Sequence, residues 1–207
     1  MNTRKTEKMT NSRLFNKGIL PVAVATAMFG AGVASAADFY LTNDATIDNQ
    51  TGGNATTNYI VNNNATLSTN SSMSVYYGTI DGFAGEDNNR GGTVTIGGNL
   101  TMHGNIGATN ATGNFTISNG NTLTLASNVS TFNSDNMTLN ASSTLNLGNS
   151  TSYSRGSSET LTFASNITMG SNSTINVGNG TTLNGNIYGA GTLNVLGNFT
   201  STGSIGA

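Results

Sequence analysis

The chain has 207 residues, of which 8% are charged, and its formal net charge is −2. Five of its seven basic residues fall within the first seventeen positions, so two bases face eight acids over the rest of the chain, which carries a formal −6. Nucleic acids and anionic membrane surfaces need clustered Lys and Arg. Disulfide bonds need Cys, and zinc and copper sites need several His or Cys ligands, whereas this chain has one His and no Cys. These partners and cofactors are therefore excluded.

Residues 1–36 have the layout of a secretory signal peptide. A basic segment ends at Lys17, an apolar segment covers residues 18–33, and Ala34-Ser35-Ala36 matches a small-x-small cleavage site. Cleavage is expected after Ala36 or Ala37. The apolar segment is too short and too rich in Gly and Ala for a membrane anchor, so the mature chain is predicted to be exported without inserting into the membrane.

Residues 37–92 show only weak alternation of apolar and polar side chains. Pieces such as Ala45-Thr46-Ile47 are separated by clusters of Asn and Gly, which indicates irregular N-terminal coils or a cap that covers the first edge of a stacked structure. A flexible segment after the signal peptide is an equal alternative for residues 38–58.

Within that region, residues 78–92 are predicted to form a loop. Asp81, Glu86 and Asp87 crowd together there with one Arg and without alternating apolar residues. Their oxygens are the ligands that calcium prefers, which makes the three acids weak candidates for a metal site. Their spacing matches neither an EF-hand nor a calcium-binding β-roll, so a solvated loop is preferred and no bound metal is predicted.

From residue 93 to residue 200 the chain repeats a short pattern of apolar, small polar and apolar residues, each followed by a Gly, Asn or Ser turn. Alternation with a period of two predicts strands with one buried face. The triplets are Val94-Thr95-Ile96, Phe115-Thr116-Ile117, Leu123-Thr124-Leu125, Met137-Thr138-Leu139, Leu145-Asn146-Leu147, Leu161-Thr162-Phe163, Ile167-Thr168-Met169, Ile175-Asn176-Val177 and Leu193-Asn194-Val195.

The spacing of these triplets predicts how the strands stack. Leu123, Leu145 and Ile167 follow one another at intervals of 22 residues, and Met137 precedes Leu161 by 24. A repeat of about 22 residues with two or three short strands predicts one coil of a parallel β-helix. Longer steps are then insertions at corners, and residues 153–159 are predicted to form one.

The turns agree with this interpretation, since Gly and Asn tolerate the positive φ that tight corners need. The predicted corners are Ser118-Asn119-Gly120-Asn121, Gly148-Asn149-Ser150, Gly178-Asn179-Gly180 and Gly189-Ala190-Gly191. An antiparallel β-sandwich and partial disorder are the alternatives, because short strands with frequent turns and a composition rich in Asn, Thr, Ser and Gly fit both. The sequence therefore favours an all-β fold, a parallel β-helix of about 22-residue coils that is most regular over residues 93–207.

This layout resembles the passenger of bacterial autotransporters, the secreted part of type V secretion proteins. The resemblance is carried by the signal peptide ending Ala34-Ser35-Ala36, the irregular start, the Asn/Thr/Gly-rich coils, and the segment Gly180–Val195, which looks like the Gly-x-Gly-Thr-Leu coil of such passengers. It implies a right-handed β-helix at the cell surface, on the outer membrane or outside the cell. The implied roles are adhesive or structural, with surface glycans, surface proteins or further copies of the chain as partners.

One departure from the family concerns its usual β-barrel translocator. The repeat pattern continues through Gly197-Asn198-Phe199-Thr200, and the sequence ends at Ala207. The alternating strands that a barrel needs do not occur in it. The expectation is a truncated or split passenger served by a separate β-barrel, or a secreted β-helix that stands alone. Without a translocator, the exported chain would stay in the periplasm.

Few residues offer catalytic chemistry, so the chain is not predicted to be an enzyme. His103 is expected at the surface, and neither a Gly-x-Ser-x-Gly elbow nor a phosphate-binding Gly-Lys loop occurs. A polysaccharide-active enzyme is the alternative, since carboxylate pairs cleave glycosidic bonds and Asp81 lies near Glu86 and Asp87.

A second alternative is an ice-binding type of β-solenoid with a flat array of threonines. The candidate pairs are Thr93/Thr95, Thr122/Thr124 and Thr160/Thr162. These pairs are not expected to recur at a constant register on one strand, which argues against such an array.

Overall fold

The computed structural model describes residues 38–47, 57–83, 91–148 and 160–206, all of which belong to the unit Val33–Ala207. Over these residues the fold is all-β, without helix, and its parallel strands stack about 22 residues apart into a β-solenoid of about six turns. The prediction of a parallel β-helix is confirmed. Every strand pair in the described residues is parallel, so the antiparallel sandwich is wrong.

The strands are short and follow one another closely along the chain. In chain order they are β1 (Asp38–Leu41), β2 (Ala45–Ile47), β3 (Asn58–Val61), β4 (Thr66–Thr69), β5 (Val75–Tyr76), β6 (Ile80–Gly82), β7 (Gly91–Ile96), β8 (Leu100–Met102), β9 (Thr112–Ile117), β10 (Thr122–Leu125), β11 (Thr131–Leu139), β12 (Thr144–Leu147), β13 (Leu161–Met169), β14 (Thr174–Val177), β15 (Thr181–Asn184), β16 (Ile187–Gly189), β17 (Thr192–Val195) and β18 (Phe199–Ser201).

The strands form three ladders that run along the solenoid. The first ladder contains β1, β3 and β6 and continues through a bridge at Ile106 into the N-terminal part of β11, then β13, β15 and β18. The second contains β2, β4, β7 and β9, the C-terminal parts of β11 and β13, and β16. The third contains β5, β8, β10, β12, β14 and β17.

The core lies between the ladders and is built from the alternate side chains that point inward. In the third ladder, Leu100, Leu123 and Leu145 stack in register, so the predicted step of 22 residues between Leu123 and Leu145 is confirmed. All three side chains are buried. Stacking of like residues at successive coils keeps a continuous apolar column that water does not reach, which is the main stabilising term of such a fold.

The register changes in the next coil, where two predicted pairings are wrong. Leu145 pairs with Ile175 rather than Ile167, and Met137 pairs with Ile167 rather than Leu161. Both steps are 30 residues long instead of 22 or 24. Because β12 ends at residue 147 and β13 begins at residue 161, the extra length falls between these strands, where the predicted corner insertion lies outside the described residues.

Corner side chains connect successive coils and explain much of the Asn content. The side-chain oxygen of Asn105 accepts a hydrogen bond from the backbone N–H of Ser130 at 2.9 Å, and Asn186 does the same for Ser204 at 2.9 Å. Such bonds satisfy N–H groups that the ladders leave unpaired where the chain turns. The positive φ predicted for the corners is found at Gly120, Gly148, Gly180 and Gly189.

The N-terminal strands join the same stack. Strands β1 to β6 pair in parallel with their neighbours in the next coil, as the later strands do. Within the predicted loop 78–92, Ile80–Gly82 forms β6 and residues 91–92 begin β7, while residues 84–90 lie outside the described residues. The predicted signal peptide, residues 1–36, lies outside them as well.

The buried phenol of Tyr76, near the first coils, is expected to make the fold less stable at alkaline pH. The Tyr76 side chain is 1% exposed and its hydroxyl donates a hydrogen bond to the carbonyl of Thr57. Burial raises the pKa of Tyr76, and the neighbouring Tyr59 raises it further. A pKa above the unfolded value of about 10 means that the folded state holds the proton more tightly, so this stabilisation is complete below pH ~10 and is lost as pH rises above it.

We therefore expect the urea midpoint of unfolding to fall between pH 8 and pH 11, and the Tyr76→Phe variant to lose less of its stability over that interval. At pH 8 the variant should be less stable by about 1–3 kcal/mol, because the half-buried carbonyl of Thr57 loses its donor. The exposed Tyr188→Phe change is the control. It should change neither the stability at pH 8 nor the decrease in the urea midpoint between pH 8 and pH 11. If Tyr76→Phe keeps the whole alkaline decrease, Tyr76 is not its source.

Candidate functional site

A groove of about 520 Å³ crosses the first ladder at its N-terminal end. Strands β1, β3 and β6 form its floor, and Phe83 with residues 108–110 of the following coil forms its side. The volume lies within the range of small-molecule binding sites, about 300–1,000 Å³. It is therefore the part of the described surface that we consider as a binding site.

The register of the ladder places the groove residues side by side. Tyr40 pairs with Ile60 and Ile60 with Asp81, while Asp38 pairs with Asn58 in the neighbouring column. Side chains two apart on a strand share a face, so both columns point away from the core. An aromatic ring, an aliphatic side chain, an amide and two carboxylates thus meet on one outward face.

Among the described residues, each carboxylate in the groove accepts one hydrogen bond. The Oδ1 atom of Asp81 accepts from the backbone N–H of Thr109 at 2.9 Å, and the Oδ1 atom of Asp38 accepts from Nδ2 of Asn58 at 3.3 Å. The Oδ1 atom of Asn58 in turn accepts from the N–H of Thr79 at 3.1 Å. Among the described residues, the second oxygen of each carboxylate has no partner and can accept a hydrogen bond from a ligand.

Two aromatic rings rise from the groove. Tyr40 is 59% exposed and Phe83 is 38% exposed, and the two rings meet edge to face with their centroids 6.4 Å apart. Large exposed aromatic side chains that face polar groups are typical of binding surfaces, because each ring offers apolar area with little loss of conformational entropy.

Of the predicted metal candidates, Asp81 lines this groove, whereas Glu86 and Asp87 lie outside the described residues. The described ranges contain no group of three or more His, Asp or Glu side chains that could hold a metal ion. Asp38 was missed as the companion of Asp81. Only the ladder register brings the two acids to one groove: it pairs Asp38 with Asn58 and, two residues further along the same strands, places Tyr40, Ile60 and Asp81 in the adjacent column.

His103 lies half-buried on a different corner of the solenoid. Its Nδ1 atom is 3.1 Å from Oδ1 of Asn128, and Nδ2 of Asn128 donates to the backbone carbonyl of His103. The imidazole also stacks on Tyr77 with the ring centroids 4.6 Å apart. These contacts tie neighbouring coils together at this corner.

The outward threonine pairs lie on three different ladders, so they do not align with one another, as predicted. Single threonines nevertheless do stack: Thr122, Thr144, Thr174 and Thr192 occupy one register position of the third ladder in four successive coils. The sequence prediction concerned the pairs and did not anticipate this column of single threonines. A search for Thr-x-Thr pairs does not find this column, because in three of these coils the second residue of the pair is Asn.

Beside that column runs a chain of side-chain hydrogen bonds. Nδ2 of Asn146 donates to Thr124 at 3.0 Å, Nδ2 of Asn176 donates to Asn146 at 2.8 Å, and Nδ2 of Asn194 donates to Asn176 at 2.9 Å. Aligned amides of this kind stabilise stacked strands. The third ladder therefore presents a regular, uncharged polar surface.

No family model, curated protein or solved structure matches this chain. Within the residues that the structure describes, no helix is long and apolar enough to cross a bilayer.

Proposed function

We propose that the chain is a secreted or surface-displayed passenger, similar to those of autotransporters, that acts in adhesion or as a structural surface protein. The observation that carries the proposal is the stacked solenoid with uncharged, hydrogen-bonded Asn and Thr columns on its outer surface. The signal-peptide pattern of residues 1–36 supports export.

The physical properties of the solenoid suit an exposed spacer. With strands about 4.8 Å apart, six turns extend for roughly 30 Å. Each coil is held by backbone ladders and buried apolar columns, so the rod needs no disulfide bond, in keeping with a chain that has no Cys. Such a rod holds contact surfaces, including the N-terminal groove, at a fixed distance from its point of attachment.

We expect the full chain, expressed in a Gram-negative bacterium, to leave the cytoplasm and to be recovered with its N-terminus at residue 37 or 38. Fractionation, protease access on intact cells and N-terminal sequencing measure this. A chain without residues 1–36 is the control and should stay in the cytoplasm. Retention of the full chain in the cytoplasm would contradict the export proposal.

Adhesion is tested separately with beads coated with the purified mature chain. They should attach to epithelial or bacterial cells more than beads coated with heat-denatured chain, because attachment requires the folded outer surface. Equal attachment of the two kinds of bead would argue for a purely structural role.

A polysaccharide-active enzyme is the second candidate, favoured by the two carboxylates of Asp38 and Asp81 in one groove. Glycoside hydrolysis uses such pairs, one as acid and one as base or nucleophile. Release of reducing ends from a polysaccharide, abolished by Asp81→Asn, would support the enzyme over the adhesive protein.

A further inference from the structure

We propose that the N-terminal groove is a binding site for an uncharged glycan. The inference rests on the proposed adhesive function and names the class of partner that the surface would recognise. Three features of the groove support it: the aromatic rings, the hydrogen-bonding groups and the charge.

The aromatic rings match the apolar side of a sugar. A pyranose ring carries its C–H groups on one face, and such a face packs on an aromatic ring as other apolar groups do. Tyr40 and Phe83 offer two exposed rings at a centroid distance of 6.4 Å. Water leaves both surfaces when they meet, which provides binding energy that does not depend on a charged ligand.

The polar groups of the groove match sugar hydroxyls. A hydroxyl that donates to a carboxylate makes a charge-assisted hydrogen bond, which is stronger than a bond between neutral groups. Asp38 and Asp81 each keep one carboxylate oxygen without a partner among the described residues. The amide of Asn110 and the hydroxyl of Thr79 also line the groove and both donate and accept.

The charge of the groove selects among glycans. Asp38 and Asp81 contribute two negative charges, and none of the described residues that line the groove is Lys, Arg or His. A sialylated or sulfated glycan would place its own negative charge beside these carboxylates, and juxtaposed like charges are an effective means of rejecting a partner. The groove should therefore accept uncharged sugars and reject acidic ones.

The shape of the groove favours a short oligosaccharide over a single sugar. Its residues come from four successive coils, β1, β3, β6 and the segment after Ile106. Three ladder steps correspond to about 14 Å along the solenoid. A linear chain of a few sugar units lying across the strands can thus contact the rings and both carboxylates together.

The chain itself offers sharp variants for a test. Asp38→Asn and Asp81→Asn remove the charge but keep an Oδ1 acceptor for Asn58 and for Thr109. Tyr40→Leu and Phe83→Leu remove a ring at an exposed position. Asp44→Asn is the matched control for the acids, because Oδ1 of Asp44 accepts from the N–H of Thr66 at 2.8 Å outside the groove, and Tyr188→Leu is the control for the rings.

The experiment measures binding of the purified mature chain to an array of neutral, sialylated and sulfated oligosaccharides, with the choline cation as a competitor. We expect binding to one or more neutral glycans, at least a tenfold loss with Tyr40→Leu or Phe83→Leu, and no change with either control. The double Asn variant should bind sialylated or sulfated glycans better than the wild type does. Circular dichroism melts show whether each variant is folded.

Several outcomes would overturn the proposal. They are no binding to any neutral glycan, a preference for acidic glycans, unchanged binding in both ring variants, or displacement by choline that would identify an organic cation as the ligand. If any of these occurs while the coated beads still attach to cells, the groove inference fails and the adhesive function stands. If glycans bind in the groove but the beads do not attach, the adhesive function fails instead.

Discussion

Phe132→Ala is expected to lower the free energy of unfolding by about 3–5 kcal/mol. The Phe132 side chain is fully buried and lies between two other rings of the core. It stacks on Phe163 with a centroid distance of 4.3 Å and an interplanar angle of 8°, and it meets Phe115 edge to face at 5.0 Å. Truncation removes both ring contacts and leaves a cavity that neighbouring coils, fixed by their ladders, fill only in part.

The expected loss is a large fraction of the stability of a typical domain, which is about 5–15 kcal/mol. Urea unfolding followed by circular dichroism at pH 8 measures it, and the exposed Tyr188→Ala change serves as the control, with an expected effect within about 0.5 kcal/mol. A loss below about 1 kcal/mol for Phe132→Ala would mean that the core repacks freely, as in a loosely packed stack.

The repeat could be predicted from the sequence because burial acts on every second residue of each strand. The alternation around Leu123 and around Leu145 therefore predicts a strand at each position, and the spacing predicts that the two strands are neighbours. The structure pairs them. After Leu147 the same rule no longer decides the register. Both Ile167 and Ile175 fit a buried position opposite Leu145, and only the length of the connection between the strands selects Ile175.

The role of asparagine was also only partly predictable. Its tolerance of tight turns was expected, but at the corners its side-chain oxygen mainly accepts N–H groups of the next coil, as Asn99 does for Thr122 and Asn179 does for Asn198. Such a bond joins residues about 20 positions apart. No local motif marks it, because the donor is a backbone group that every residue except proline carries.

The groove was hidden for the same reason. Asp81 was a candidate because of its neighbours in sequence, Glu86 and Asp87, whereas its neighbours in the groove are Tyr40, Asp38 and Asn58 from earlier coils. In a solenoid, surface residues become neighbours through the register of successive coils. An error of two residues in that register would exchange one outward column for the other, so a site of this kind requires the pairing to be known.

Gly104→Ala is expected to lower the free energy of unfolding by about 3 kcal/mol, the upper part of the range for overpacked sites. A Cβ atom at Gly104 would lie 1.8 Å from the carbonyl oxygen of Gly78 in the previous coil. That oxygen belongs to the backbone and has no rotamer that avoids the methyl group. The corner is also held on both sides by ladder hydrogen bonds, from His103 to Tyr76 at 2.7 Å and from Ile80 to Asn105 at 3.1 Å.

The sign of the change in unfolding free energy distinguishes a steric clash in the folded state from a lower entropy of the unfolded chain. A glycine replaced by alanine at an unstrained site gains about 0.4–1 kcal/mol, because the unfolded chain loses freedom. Gly120→Ala is the comparison: its Cβ would meet nothing within 4 Å, but its φ of 71° costs an alanine about 1–2 kcal/mol. Urea midpoints should therefore decrease for both variants and more for Gly104→Ala. If Gly104→Ala is as stable as the wild type, the coils separate at this corner without cost, and close approach of the backbones is not the reason for its glycine.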